Sequence, residues 1–179
     1  TISTPYMLFL EHDWRFRMSI EMVCLFDAFD DFDKINHVRF NTRRNDEHFY
    51  WDHILKSEDK VEQVALTKTS AWSNQAHVVR LSKWRNEWID IIGTDEATES
   101  FGVEDKLYWR YNKDIFSHDF DEAHSRWGCY IYGARTDGKH IDHLNGRFAA
   151  RHPWLEPLQK GSRFVRHKIL GHSAVPEPV

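Results

Sequence analysis

The chain begins with a short apolar run, Tyr6-Met7-Leu8-Phe9-Leu10, that stops on the polar cluster Glu11-His12-Asp13. A continuous apolar run bounded by polar residues predicts a strand buried on both faces, as in the middle of an α/β sheet. From Met18 to Phe32 the period changes: Met18, Met22, Leu25, Phe26, Phe29 and Phe32 recur at helical spacing, with Asp27, Asp30 and Asp31 on the wet side. That spacing predicts an amphipathic helix. Residues 36–41, Asn-His-Val-Arg-Phe-Asn, alternate as a strand does. A polar stretch through Asp46 and an aromatic patch, Phe49-Tyr50-Trp51, precede a third expected strand over Val61–Leu66.

In the second half, Thr69–Asn74 has the composition of a loop, and apolar residues at 78, 81, 84, 88, 91 and 92 predict a helix from Val78 to Ile92, stopped by Gly93. Residues 94–102 are polar and loop-like, and a third helix opens at Val103 and carries Leu107, Tyr108 and Tyr111. Trp127–Tyr132 reads as a strand ending at Gly133; a Thr-Asp-Gly turn at 136–138 leads to another strand through His143. From His172 onward the chain is small and Pro-rich, the composition of a frayed tail. The pattern is α/β, with one domain over 1–171, a tail over 172–179 and no internal repeat.

Composition narrows the function classes. At 179 residues with 41% hydrophobic content the chain can bury a substantial core. Aromatic residues make up 15%, with 8 Trp and 12 Phe, enough to fill that core or to line a groove that stacks on sugar rings or bases; core filling is the simpler reading. A net charge of −4 gives no electrostatic footprint for nucleic acid. Local basic groups, Arg39-Arg43-Arg44 and Arg163-Arg166-His167-Lys168, read as solvated surface, although the first could meet phosphate. Cys24 and Cys129 fit no zinc or redox spacing, and Cys24 reads as a buried thiol, which points to a reducing, cytoplasmic setting. No run is apolar and long enough to span a membrane. A core-type strand beginning within a few residues of Thr1 leads us to expect that an amino-terminal portion precedes it.

Three groups carry candidate chemistry. Glu11-His12-Asp13 has the ligand types for magnesium or, with imidazole, manganese. Ligands of α/β sheets bind beyond the carboxyl ends of strands, where this cluster is expected. Glu104-Asp105 opens the third helix, where acids complement the helix dipole or, alternatively, one of them serves as a general base. His143 follows Asp142 at a strand end, one of 12 histidines, and can ligate a metal or hydrogen-bond backbone.

In their order along the chain, these pieces resemble the carboxy-terminal half of a GT-A glycosyltransferase of the family 2 type, with "LFLEHDW" in the place of the DxD metal motif. Ser73-Asn74, Trp127-Gly128, Tyr130-Ile131-Tyr132-Gly133 and His143-Leu144-Asn145-Gly146 are similar to that branch as well, over roughly residues 5–148. The resemblance implies a GT-A-like mixed sheet flanked by helices that lacks the amino-terminal nucleotide-binding portion. It implies metal-dependent, inverting transfer of a sugar from a nucleotide-sugar donor to a hydroxyl acceptor, with Mn2+ or Mg2+ as cofactor. In that reading Asp13, Glu11 and His143 are metal ligands, Asp105 is the base, and Glu104 is its alternate or orients the acceptor. His12, Trp14, Arg110 and Trp127 would contact substrate: Arg110 through the diphosphate, or by stabilising the helix, and Trp127 by stacking on a sugar face. The triplet departs from Asp-x-Asp, which leaves His12 as an alternative to Glu11 at the metal. Two other classes compete: a non-catalytic carbohydrate-binding or structural module, and a metal phosphohydrolase using His12-Asp13 as an HD dyad. The last wants the dyad on a helix, whereas the apolar run predicts a strand end.

Overall fold

The computed structural model describes residues 3–45, 54–61, 64–94 and 102–144. The chain divides into two units at the His143–Leu144 junction, and the fold described here belongs to the first. Its strands are β1 (Tyr6–Phe9), β2 (Trp14–Phe16), β3 (His37–Arg39), β4 (Ile54–Val61), β5 (Val64–Thr69), β6 (His77–Arg80), β7 (Cys129–Tyr132) and β8 (Ile141–His143). Six of them form a mixed sheet in the order β1-β6-β3-β7-β5-β4, and β2 and β8 make a separate antiparallel ribbon. Helix α1 (Met22–Asp31) precedes β3. After β6 comes a helical stretch of α2 (Leu81–Lys83), a π-helical turn (Trp84–Trp88) and α3 (Ile89–Thr94), followed by α4 (Val103–Ser117) and α5 (Phe120–Trp127). The architecture is therefore mixed α/β, a mixed sheet flanked by helices.

The central strand explains the two-sided packing. Successive side chains of a strand point to opposite faces. On β3, Val38 joins Leu25, Phe29, Val78 and Tyr130 in a core that packs α1 against one face of the sheet. Val79 and Cys129, one position along on β6 and β7, join Trp72, Trp88, Leu107, Tyr111 and Trp127 on the other face. Helix α1 carries no basic residue in its last turn. Arg80, at the end of β6, supplies the charge instead: Nε donates to the Ile35 carbonyl (3.1 Å), and Nη2 donates to the carbonyls of Phe29 and Phe32. A cation at those orphan carbonyls stabilises the helix end.

β3 and β7 run parallel, and β6 is antiparallel to both β3 and β1. The carboxyl ends of β1, β3 and β7 therefore share one edge of the sheet. The opposite end of the parallel pair is fixed at Gly128. This residue ends α5 in the left-handed region (φ +60°), with its N–H on the His124 carbonyl, and its own carbonyl accepts from the N–H groups of Asn36 and His37 (both 3.0 Å). A Cβ here would overlap the Lys34 carbonyl oxygen and stand 2.9 Å from the Asn36 nitrogen.

Several sequence expectations need correction. β1 is an edge strand, not a central one, and Leu8, Phe9 and Leu10 are 44%, 36% and 48% exposed. An apolar run without alternation does not distinguish a strand sandwiched between layers from one whose apolar residues reach solvent at an edge. The α1 helix begins at Met22 rather than Met18, because residues 14–16 form β2 and the chain turns before it helicates. The expected strand over Val61–Leu66 spans the end of β4 and the start of β5, with Val61 paired to Val64. The helix expected from Val78 begins at Leu81; His77–Arg80 are extended, with Val78 and Val79 on opposite sheet faces. Spacing of three and four residues had merged strand and helix into one period. Trp127 closes helix α5, so β7 starts at Cys129. The α5 signal was the Asp119 side chain, which accepts from the N–H groups of Asp121 and Glu122 as an N-cap. Cys24 is half-buried rather than buried. The aromatic patch at 49–51 and the tail at 172–179 lie outside the described residues.

Replacing Gly128 with alanine should cost at least about 2 kcal/mol, since positive-φ strain and steric overlap add. Urea unfolding of Gly128→Ala tests this; an unchanged midpoint would mean that the Lys34–Asn36 approach is not a constraint.

Candidate functional site

The turn after β1 carries the chain from the six-stranded sheet into the ribbon. Glu11 accepts at its carbonyl from the Trp14 N–H (3.2 Å), which closes the turn and places Asp13 directly before β2. On the ribbon, Trp14 is registered opposite His143. The outcome is a contact across 130 residues of sequence: His143 Nε2 lies 2.9 Å from Asp13 Oδ2, and the Trp14 and His143 ring centroids are 4.5 Å apart. The other carboxylate oxygen, Asp13 Oδ1, is buried and has no hydrogen-bond partner, and the same holds for Trp14 Nε1. A buried carboxylate oxygen left without a partner is costly. Two of the three expected metal ligands therefore meet. Glu11 and His12 are exposed in the turn. Among the described residues no group of three or more His, Cys, Asp or Glu side chains is gathered as a metal cage.

Loops after the parallel strands brace this edge through buried amides. Asn41 accepts at its carbonyl from the N–H groups of His140 (2.9 Å) and Ile141 (3.2 Å), which ties the ribbon to the end of β3. Asn45 Nδ2 donates to the carbonyls of Tyr132 and Ala134, both at 2.9 Å, and its Oδ1 accepts from Asn41 Nδ2 (3.3 Å). Both asparagines are buried, and neither drew attention in the sequence.

The acidic pair of α4 divides its labour. Glu104 Oε1 accepts from Ser73 Oγ (2.7 Å) and from the Asn74 N–H (3.2 Å), and Ser73 Oγ accepts in turn from the Gln75 N–H. Glu104 thus clamps the loop before β6. That loop delivers His77, which pairs with Phe9, two residues before Glu11. Asp105 is exposed on the same helical turn.

Arg110 and Trp127 stand elsewhere. Arg110 lies six residues further along α4, about 9 Å along the axis, and pairs at 3.7 Å with Asp114 on its own helix. Asp114 also accepts from Trp127 Nε1 (2.8 Å). Trp127 is buried, with ring centroids 4.9 Å from Tyr111 and 5.9 Å from Trp88. Its expected role in sugar stacking is corrected: an indole packed into the α4–α5 core offers no face to a ligand. Arg110 serves the helix rather than the strand-end edge.

A buried polar cluster under Phe9 was missed altogether. Phe9 stacks on His77 at 4.9 Å, and His77 and His37 are 4.7 Å apart, with Trp72 within 5.6 Å of both. His77 Nδ1 faces the Gln75 carbonyl (2.7 Å) and His37 Nε2 the Ser73 carbonyl (3.3 Å). A carbonyl only accepts, so each of these nitrogens carries the proton. His77 Nε2 and His37 Nδ1 are then bare lone pairs, buried without a partner. Burial pushes His77 down to about 4, and burial, then His77 and Arg39, holds His37 well below the ordinary imidazole range. The only sequence signal was strand alternation, which places His37 and Arg39 on the face away from Val38.

No protein-family model matches the chain, and neither a curated protein nor a solved structure matches it.

The histidine pair fixes an acid response. Both imidazoles are neutral when folded, and an unfolded chain binds the protons they refuse. Stability is therefore complete above about pH 6.5 and falls as pH drops towards about 4. Urea midpoints measured at steps between about pH 7 and 4.5 should decline, and His77→Gln should flatten the decline; equal slopes for both proteins would overturn the assignment.

Proposed function

We propose that the chain is a GT-A-type glycosyltransferase domain, which transfers a sugar from a nucleotide-sugar donor to a hydroxyl acceptor with inversion. The observation that carries this reading is the Asp13–His143 contact, which joins the strand-end acidic motif to the late histidine through ribbon register. Support also comes from the position of the motif, beyond the carboxyl end of β1 and beside the ends of β3 and β7, where α/β sheets hold ligands.

The residues present fit a magnesium or manganese ion in part. Asp13 offers a buried carboxylate oxygen with no other partner, and His143 stands beside it. Both ions commonly take one or two protein ligands and fill the rest with water and phosphate oxygens. A cation bound there would supply Lewis-acid stabilisation of the departing diphosphate. Glu11, in the same turn, is the further acidic member.

The protein's own groups do the rest. Asp105 is the base: it is exposed, at the first turn of α4, and takes the proton of the acceptor hydroxyl as that oxygen attacks the sugar carbon. Attack opposite the leaving group inverts the anomeric centre. Glu104 is a positioning residue, since its carboxylate is occupied by Ser73 and Asn74 and holds the loop that leads to β6. Trp14 and His12 flank the ligand pair and are the substrate contacts in this reading.

Two substitutions in the full-length protein separate the roles. Asp13→Ala should abolish metal-dependent binding of UDP- or GDP-sugars, measured by calorimetry with and without manganese. Asp105→Asn should leave donor binding unchanged and lower the transfer rate at least about 100-fold. Full transfer by Asp105→Asn would remove Asp105 as base, and absence of metal-dependent nucleotide-sugar binding in the unmodified protein would sink the transferase reading.

A further inference from the structure

The ribbon has a second face. Strand alternation turns Trp14, Phe16, Ile141 and His143 to one side, with Phe16 and Ile141 in the core beneath, and Arg15 and Asp142 to the other. On that outer side three cations converge on a single carboxylate: Arg15 Nη2 at 3.0 Å, Arg17 Nη1 at 3.4 Å and Lys139 Nζ at 2.7 Å from the Asp142 oxygens. They come from three positions: inside β2, just after it, and just before β8. Among the described residues Asp142 is the acid to which all three are paired. Among the described residues that one carboxylate balances one of them, which leaves a local surplus of two positive charges.

Such a grouping is unfavourable by itself, because three like charges are held within a few ångströms of one another. The cations remain about half exposed or more, with Arg15 at 64%, while Asp142 lies shielded beneath them at 15%. Arg15 meets the carboxylate through Nη2 and Arg17 through Nη1.

We propose that the outer face of the β2–β8 ribbon is a binding site for a phosphate monoester, gripped by Arg15, Arg17 and Lys139. A phosphate monoester carries close to two negative charges near neutral pH and three acceptor oxygens, matching the surplus of two charges and the forked arginine donors. Asp142 gathers the three cations when the ligand is absent and competes with it when it is present. The site lies on the ribbon face opposite His143, so it is distinct from the cation edge and does not rest on the transferase reading.

The test is an NMR titration of the ribbon amides with inorganic phosphate and, separately, with a sugar monophosphate, against chloride at matched ionic strength. Saturable shifts with both phosphates and none with chloride are expected. A tighter fit for the sugar phosphate would assign the site to a phosphorylated metabolite, and equal affinities to the phosphate group alone. The Arg15→Gln/Arg17→Gln variant should weaken binding at least about fivefold, and Asp142→Asn should tighten it severalfold by removing the competing charge. Circular dichroism confirms that each variant is folded, and Lys139→Gln serves in place of either one that is not, with weaker binding expected. Chloride-like, unsaturable shifts, or unchanged affinity in the folded arginine variant, would overturn the proposal.

Discussion

Three backbone hydrogen bonds at Gly128 hold the centre of the six-stranded sheet. One ends α5; the other two start the parallel pairing of β3 with β7 by meeting the N–H groups of Asn36 and His37. The close approach at Lys34 and Asn36 leaves no room for a side chain. Once β3 is pinned between β6 and β7, alternation alone assigns Val38 to the α1 side and His37 and Arg39 to the side of the tryptophans. Arg80 continues the same logic outward: its backbone N–H bonds to the Asn36 carbonyl, and its guanidinium closes the end of α1.

The candidate site is assembled at the far end of those strands, and it is built from buried polar groups more than from apolar packing. Asn41 and Asn45 knit the loops after β3 and β7, Glu104 anchors the segment before β6, and His37 and His77 sit neutral beneath Phe9. Buried polar groups of this kind demand specific partners, so they define one arrangement of loops where apolar contacts would tolerate several. The edge that carries Asp13 inherits its geometry from that network.

The sequence made α1 and α4 legible through helical spacing, β3 through alternation, and β7 and β8 through Gly133 and the Thr-Asp-Gly turn that bound them. It misled where two elements share a period. Val78 and Leu81 lie three apart on the same notional helical stripe, yet the chain is extended up to Arg80 and helical only after it. It also misled at β1, because hydrophobicity reports a preference for burial and not the number of neighbouring strands. Of the candidate site, Asp13 and His143 were brought together only by the family resemblance, and the cause of their contact, the Trp14–His143 register of a short ribbon, was not legible. β2 is three residues long and carries Arg15 in its middle, too short for a pattern to emerge. Residue type left Arg110 with two roles, of which the pairing with Asp114 on its own helix is seen, and suggested stacking for Trp127, whose ring is already packed in the core.

The turn at Glu11–Asp13 leaves the six-stranded sheet and enters the ribbon, and this has an evolutionary corollary. The Asp13–His143 contact depends on ribbon register and on the turn that the Glu11 carbonyl closes, whereas Asp105 rides on α4 beside the Glu104 clamp on the Ser73 loop. The loop that Glu104 clamps leads into β6, which pairs with β1, so the two places are coupled through the strand that precedes the turn. Substitutions in the Ser73 loop or along α4 are therefore felt at the Asp13–His143 contact as well, so selection has to accommodate both places together.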